Sequence, residues 1–139
     1  ARTSMVTSTV RLGWRLTRKT AILLFSWSHV AAASTVSTTP WTAGKTTFEG
    51  VPLKDLLAAT GAKGTSILAV ALNDYAVPLP MSDADDGAII AYKMNGEYMP
   101  VRAKGPLWIM FPFDDRPELK TEAAYSRCVW QLRRLTVSK

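Results

Sequence analysis

Ala88-Ile89-Ile90-Ala91-Tyr92-Lys93-Met94-Asn95-Gly96-Glu97-Tyr98-Met99 is the stretch on which the fold turns. Apolar and aromatic residues flank Asn95-Gly96, a dipeptide that readily adopts the left-handed conformations of a two-residue hairpin turn. The stretch therefore predicts two antiparallel strands joined tightly. A chain that commits its middle to such a hairpin builds at least one antiparallel sheet.

Working outward, short extended runs recur on both sides. Thr35-Val36-Ser37-Thr38-Thr39 is rich in β-branched residues and stops at Pro40, which predicts a strand. Trp41 to Lys45 is a turn, and Thr46-Thr47-Phe48-Glu49 predicts a second short strand ended by Gly50. Pro52 opens a helix, because its missing N–H is not needed in the first turn. Leu53, Leu56 and Leu57 fall at helical spacing, and Gly61 supplies the stop. Ser66 to Leu72 is continuously apolar and predicts a buried strand. Tyr75 to Pro80 is extended, since prolines hold the preceding residues out of the α region. Ser82 to Gly87 is an acidic loop. Leu107 to Phe111, between Gly105-Pro106 and Pro112, predicts another buried strand; a short helix follows Pro117, and Val129 to Val137 closes as a strand. No internal repeat is present. The pattern predicts an α+β domain of mixed β-sheets with few short helices.

Composition bounds the function. The 139 residues suffice for one domain, and a hydrophobic content of 47% excludes an intrinsically disordered chain. The single cysteine, Cys128, excludes an internal disulfide and a thiolate zinc cluster. A formal charge of +6 invites a nucleic-acid reading. Its distribution argues otherwise. Residues 1–33 carry Arg2, Arg11, Arg15, Arg18 and Lys19 with no acid, a net of +5, which leaves +1 for the rest of the chain. A body so nearly neutral offers no broad basic face for phosphates, so no nucleic-acid partner is expected. A strand would point Arg133 and Arg134 to opposite faces, so with Arg127 they read as solvated charges.

The N-terminal segment has a logic of its own. A basic stretch through Lys19 is followed by apolar residues from Ala21 to Val30, then by Ala31-Ala32-Ala33. Basic, apolar and small residues in that order are the layout of a secretory signal with cleavage after Ala33. The apolar run is too short for a membrane span and is interrupted by Ser26, Ser28 and His29. The expectation is a leader over residues 1–33, a domain over 34–139, and a periplasmic or secreted location. A basic amphipathic helix packed on the domain is the alternative.

The usual chemistries find little support. His29 is the sole histidine, and its place in the presumed leader leaves the body without a histidine base or ligand. Asp83, Asp85, Asp86 and Gly87 lack the alternation and distal glutamate of a calcium loop, so a solvated turn with a short helix is the better reading. Asp114 and Asp115 precede Arg116-Pro117-Glu118, where acids favour a helix start. No glycine-rich phosphate cradle occurs. Among the aromatics Trp41, Tyr75, Trp108 and Trp130, core packing is favoured over a ligand platform for the set, and Trp108, in an apolar strand, reads as core. Trp41 and Tyr75 lie at turns and could line a cleft.

Five ordered motifs carry a family resemblance. They are Phe48 to Leu57, Asn73-Asp74-Tyr75 with Pro78-Leu79-Pro80, Ile90 to Glu97, Gly105 to Pro112, and Val129-Trp130-Gln131-Leu132. Together, from Val36 to Val137, they resemble the oxidoreductase molybdopterin-binding domain of sulfite oxidases and their bacterial relatives. The resemblance implies a sulfite-oxidase-like fold and is strongest to short, single-domain bacterial members exported to the periplasm. It also implies a metal-ligating cysteine in the first half of the domain, where this chain has none before Cys128. An arginine implied in the Gly-Pro strand is replaced by Trp108, and a histidine implied ahead of it by the neighbourhood of Ala103 and Lys104. A lysine implied after Val129 is replaced by Trp130, which removes a cation that would hold a pterin phosphate.

These departures set the expectation. The chain is read as a ligand-binding or partner-binding module that performs no molybdenum redox chemistry and carries no cofactor. The candidate cleft comprises Trp41, Asn73, Asp74, Tyr75, Arg102, Lys104 and Arg127, polar and aromatic groups placed beside turns. Cys128 reads as a small buried hydrophobe. The alternative is a molybdopterin-dependent oxidoreductase that grips its cofactor through backbone groups, Lys104 and Arg127.

Overall fold

The computed structural model describes residues 7–11, 33–60 and 65–138. In chain order the elements are β1 (Thr7–Arg11), β2 (Ala33–Thr38), β3 (Lys45–Pro52), α1 (Leu53–Thr60), β4 (Ser66–Ala71) and β5 (Ala76–Pro80). There follow α2 (Ser82–Asp85), β6 (Ile89–Met94), β7 (Glu97–Tyr98), β8 (Trp108–Met110), a 3-10 turn (Pro117–Leu119), α3 (Glu122–Ser126) and β9 (Leu132–Ser138). Two sheets result. One has the order β1-β9-β4-β5; the other runs β2-β3-β6-β7, with β8 also on β6. Every pairing in them is antiparallel.

The Asn95-Gly96 hairpin forms as predicted, with both residues at positive φ (52° and 85°). Asn95 also anchors the turn to β3: its Oδ1 accepts from the Thr47 N–H at 3.1 Å, and its own N–H donates to the Thr47 carbonyl at 2.7 Å. The strand predicted to stop at Gly50 instead continues to Pro52. Gly50 is the site of a register shift against β6, and a Cβ there would overlap the Ile90 carbonyl oxygen. Here glycine permits a close backbone approach rather than ending the strand.

The helix after Pro52 buries Leu53, Leu56 and Leu57, the positions its spacing marks. Its predicted stop at Gly61 lies outside the described residues. Burial of β4 departs from expectation: Ile67 and Ala69 are buried, but Leu68 is exposed between Pro78 and Thr136 on neighbouring strands. Only its first half has one open face: Val70 and Ala71 are buried in turn, so apolar continuity overstated the burial of its start alone.

Three further segments differ from their sequence reading. The acidic loop holds a short helix, α2, as read, but Asp83 within it is buried rather than solvated. The closing strand begins at Leu132, because Gln131 has φ of 53° and breaks the extended run. The chain after Pro117 forms two short helical pieces, the second capped by the Thr121 hydroxyl accepting from the Ala124 N–H. Within the segment read as a leader, Thr7–Arg11 is strand β1, paired along β9 from Thr7–Ser138 to Arg11–Arg134. Ala33 opens β2 opposite Gly50. The rest of that segment lies outside the described residues.

The core contains Phe48, Leu53, Leu56, Ile67, Leu79, Ile90, Trp108, Ile109, Phe111, Phe113, Leu132 and Leu135. Hydrogen bonds from Ile109 N–H to the Val129 carbonyl and from Leu132 N–H to the Leu107 carbonyl stitch β8 to the approach to β9. Those bonds join the two sheets through the chain that carries the candidate site. No helix among the described residues is long and apolar enough to cross a membrane.

Candidate functional site

Three segments converge on one cleft of about 360 Å³. They are the turn after β2, the β4–β5 turn, and the run from the end of α3 to β9. Trp41, Asn73, Tyr75, Tyr125, Ser126, Cys128, Trp130 and Gln131 line it. That volume lies at the lower end of the range of small-molecule sites.

Trp41 is set by a local threonine turn. Its N–H donates to Thr39 Oγ1 at 3.2 Å, and Thr39 and Thr42 hydroxyls meet at 2.8 Å. Such side-chain bonds to nearby backbone fix a turn without any strand partner. The Trp41 ring then packs tilted on Trp108 at 5.8 Å and edge-to-face on Tyr125 at 5.8 Å and Trp130 at 5.6 Å. Tilted and edge-on arrangements suit the ring quadrupoles. Trp108 beneath is fully buried and donates its indole N–H to the Cys128 carbonyl at 3.2 Å.

The β4–β5 turn presents Asn73 and Tyr75. Asp74 adopts φ of 69°, and the Tyr75 N–H donates to Asn73 Oδ1 at 3.1 Å, an Asx arrangement that tolerates such a backbone. Tyr75 is 55% exposed, a large aromatic left at the mouth of the cleft. Asp74 instead pairs with Arg133 at 2.9 Å.

On the far wall, Gln131 joins several parts of the molecule. Its carbonyl accepts from the Leu72 N–H at 2.8 Å, and its N–H donates to the Lys104 carbonyl at 2.9 Å. Its side-chain amide donates to the Val101 carbonyl at 2.7 Å. The turn of residues 101–104 is thereby held against the cleft. Lys104 Nζ lies 4.3 Å from the centre of the Trp130 ring and 5.8 Å from that of Trp108, within cation–π range.

Of the seven residues expected in the cleft, Trp41, Asn73 and Tyr75 line it. Lys104 sits on the Trp130 wall rather than among the lining residues. Arg102 is exposed in the same turn, and Asp74 faces Arg133. Arg127, read as solvated and as a cleft residue, is drawn to Asp83: its Nε and Nη2 donate to the two carboxylate oxygens at 2.8 and 3.1 Å. Tyr125, Ser126, Trp130 and Gln131 were missed as cleft residues. Trp130 carried a signal in its aromatic character, whereas Gln131 enters through a left-handed backbone that its residue type does not announce.

Cys128 lies in the cleft wall but is 3% exposed, and its Sγ donates to the Ala124 carbonyl at 3.6 Å. Burial, the largest influence, pushes its thiol far above the usual range, with Arg127 opposing it. A neutral thiol is a poor nucleophile and a poor metal ligand. Among the described residues no cluster of three His, Cys, Asp or Glu side chains could hold a metal ion.

Comparison with known proteins places this geometry in context. The chain aligns in structure with the sulfane dehydrogenase SoxCD from Paracoccus pantotrophus at a TM-score of 0.52 and 22% identity. The alignment covers 96% of this chain but 32% of the other, so this chain spans about a third of that neighbour's length. At that identity the likeness concerns the fold, which is that of a sulfite-oxidase-type molybdopterin-binding domain with two sheets and few short helices. No curated protein matches. The profile of the oxidoreductase molybdopterin binding domain matches residues 20–113. That range takes in Trp41, Asn73 and Tyr75, and it reaches into the segment read as a leader. With that match over most of its length, the chain belongs to the oxidoreductase molybdopterin-binding domain family.

Proposed function

We propose that this domain binds a small molecule in the aromatic cleft and performs no molybdenum chemistry of its own. The donor set of the cleft carries the reading. A molybdenum–pterin group asks for a thiolate ligand and for cations on its phosphate. The one thiol is Cys128, buried and held protonated. Among the described residues no charged side chain lines the cleft itself; Lys104 stands beside it on the Trp130 ring, a single cation, and Arg127, the cation nearest to Cys128 in sequence, is engaged by Asp83. These residues do not fit a molybdenum-carrying pterin. They fit a ligand held within the cleft by ring faces and a few neutral polar groups, with Lys104 beside the Trp130 wall, the usual composition of small-molecule sites.

The test is elemental and thermal. Protein purified from its native host should contain no stoichiometric molybdenum, and its melting temperature should rise with a ring-bearing ligand, as binding to the folded state alone requires. One molybdenum per chain would overturn the reading.

A further inference from the structure

Resting on that reading of the cleft, we propose that its ligand is a small planar aromatic carboxylate, with the ring against Trp41, Tyr75 and Trp130 and the carboxylate on Lys104. The walls specify the ring. The aromatic lining residues surround a cavity of about 360 Å³, and Tyr75 stands exposed at its mouth with no ring partner among the described residues. A flat ligand gains stacking or edge contacts there that an aliphatic one of equal size does not.

The charge is specified by what stands beside the walls. Lys104 holds its ammonium 4.3 Å over Trp130, and no carboxylate among the described residues lies within ion-pair distance of it. Arg116, Arg127 and Arg133, in contrast, are each committed to an acid. Gln131 clamps the backbone of the turn that carries Lys104 by two hydrogen bonds, and the ammonium itself rests on the Trp130 ring that walls the cleft. An ammonium already over the Trp130 face disfavours a cationic ligand by like-charge repulsion, although an aromatic cage alone would suit one. It attracts an anion, and a single lysine is a point charge that matches one carboxylate better than a phosphate dianion.

Calorimetric titration of the full chain with benzoate, benzamide and cyclohexanecarboxylate tests both halves. Benzoate should bind, and each of the other two should bind about tenfold more weakly, one lacking the charge and the other the flat ring. Lys104→Met should weaken benzoate by a similar factor and leave benzamide unchanged, while Lys104→Arg keeps most of the benzoate affinity. Equal binding of benzamide, an unchanged benzoate affinity in Lys104→Met, or no benzoate binding at millimolar concentration would each overturn the proposal. The wild-type comparison of three ligands needs no variant to fold. Molybdenum in the native protein strikes at the underlying reading of the cleft, whereas benzamide binding as well as benzoate removes the carboxylate alone.

Discussion

Asp83 and Arg127 meet through two parallel hydrogen bonds, 44 residues apart in sequence, and tie α2 to the end of α3. The carboxylate is 1% exposed, and the guanidinium lies 5.8 Å from the centre of the Phe111 ring. The pair fixes the chain from which Cys128, Trp130 and Gln131 project, so the shape of the cleft depends on an ion pair outside it.

Breaking that pair should be costly and pH-dependent. Arg127→Met leaves a buried carboxylate without its partner, and the expected loss at neutral pH is about 3 kcal/mol or more. Burial, the larger influence, raises the Asp83 carboxyl above its ordinary 3.8, and Arg127 pulls against it. A raised carboxyl contributes stability that is complete below its unfolded value and is lost as pH rises through its folded value. Without Arg127 that loss grows. The gap in urea midpoint between wild type and Arg127→Met should widen from about pH 3 towards neutrality; a constant gap would argue against the charge as the cause.

Trp108 supports the cleft from beneath. Trp108→Ala removes a fully buried ring that packs on Phe48, Trp41 and Trp130, and the expected cost is about 3–5 kcal/mol. Trp108→Phe keeps much of the packing but abandons the Cys128 carbonyl, for about 1–3 kcal/mol. Denaturant unfolding monitored by circular dichroism separates the two, and equal costs would show that the indole N–H contributes nothing.

Gly50→Ala should destabilise more than an ordinary strand substitution. Its Cβ meets backbone at Ile90 and Ala91, which cannot rotate away as a side chain could. We expect a loss of about 3 kcal/mol, at the upper end of overpacking costs. A thermal midpoint within a degree or two of wild type would mean that β3 and β6 separate easily.

Cys128 should resist modification while the protein is folded. A thiol reagent at about pH 8 is expected to react many times more slowly than with a free thiol, and at the free rate once urea unfolds the chain. Rapid labelling of the native protein would show that the α3 end opens readily.

Removal of residues 1–11 should expose the free edge of β9. Strand β1 now pairs along that edge, and an unpaired edge invites association with other chains. Size-exclusion chromatography of the shortened chain should show more oligomer and a lower thermal midpoint. A monomer of unchanged stability would show that β1 contributes nothing to the sheet.

Much of the fold was legible because its signals are local. Asn95-Gly96 specifies a hairpin, Pro52 with Leu53, Leu56 and Leu57 specifies a helix, and the Gly105-Pro106 to Pro112 frame specifies a buried strand. Trp41, Asn73 and Tyr75 were legible for a related reason: aromatic and amide side chains at turns lie where clefts form. The fates of the charged candidates were not legible. Asp74, Lys104 and Arg127 each found a partner supplied by a distant element, namely Arg133, Trp130 and Asp83.

The sequence by itself determined most of the strands and turns after Ala33, the family, and a lone cysteine in the second half of the chain. Its excess charge, concentrated in residues 1–33, was also readable there. Only the tertiary structure decided that Asp83 is buried against Arg127, that Gln131 turns left-handed to clamp the Lys104 turn, and that four aromatic side chains from three segments share one cleft. Backbone preferences act over a few residues and can be read from neighbours. Desolvation, ring packing and charge pairing depend on which distant groups close the space, and that is set when the sheets come together.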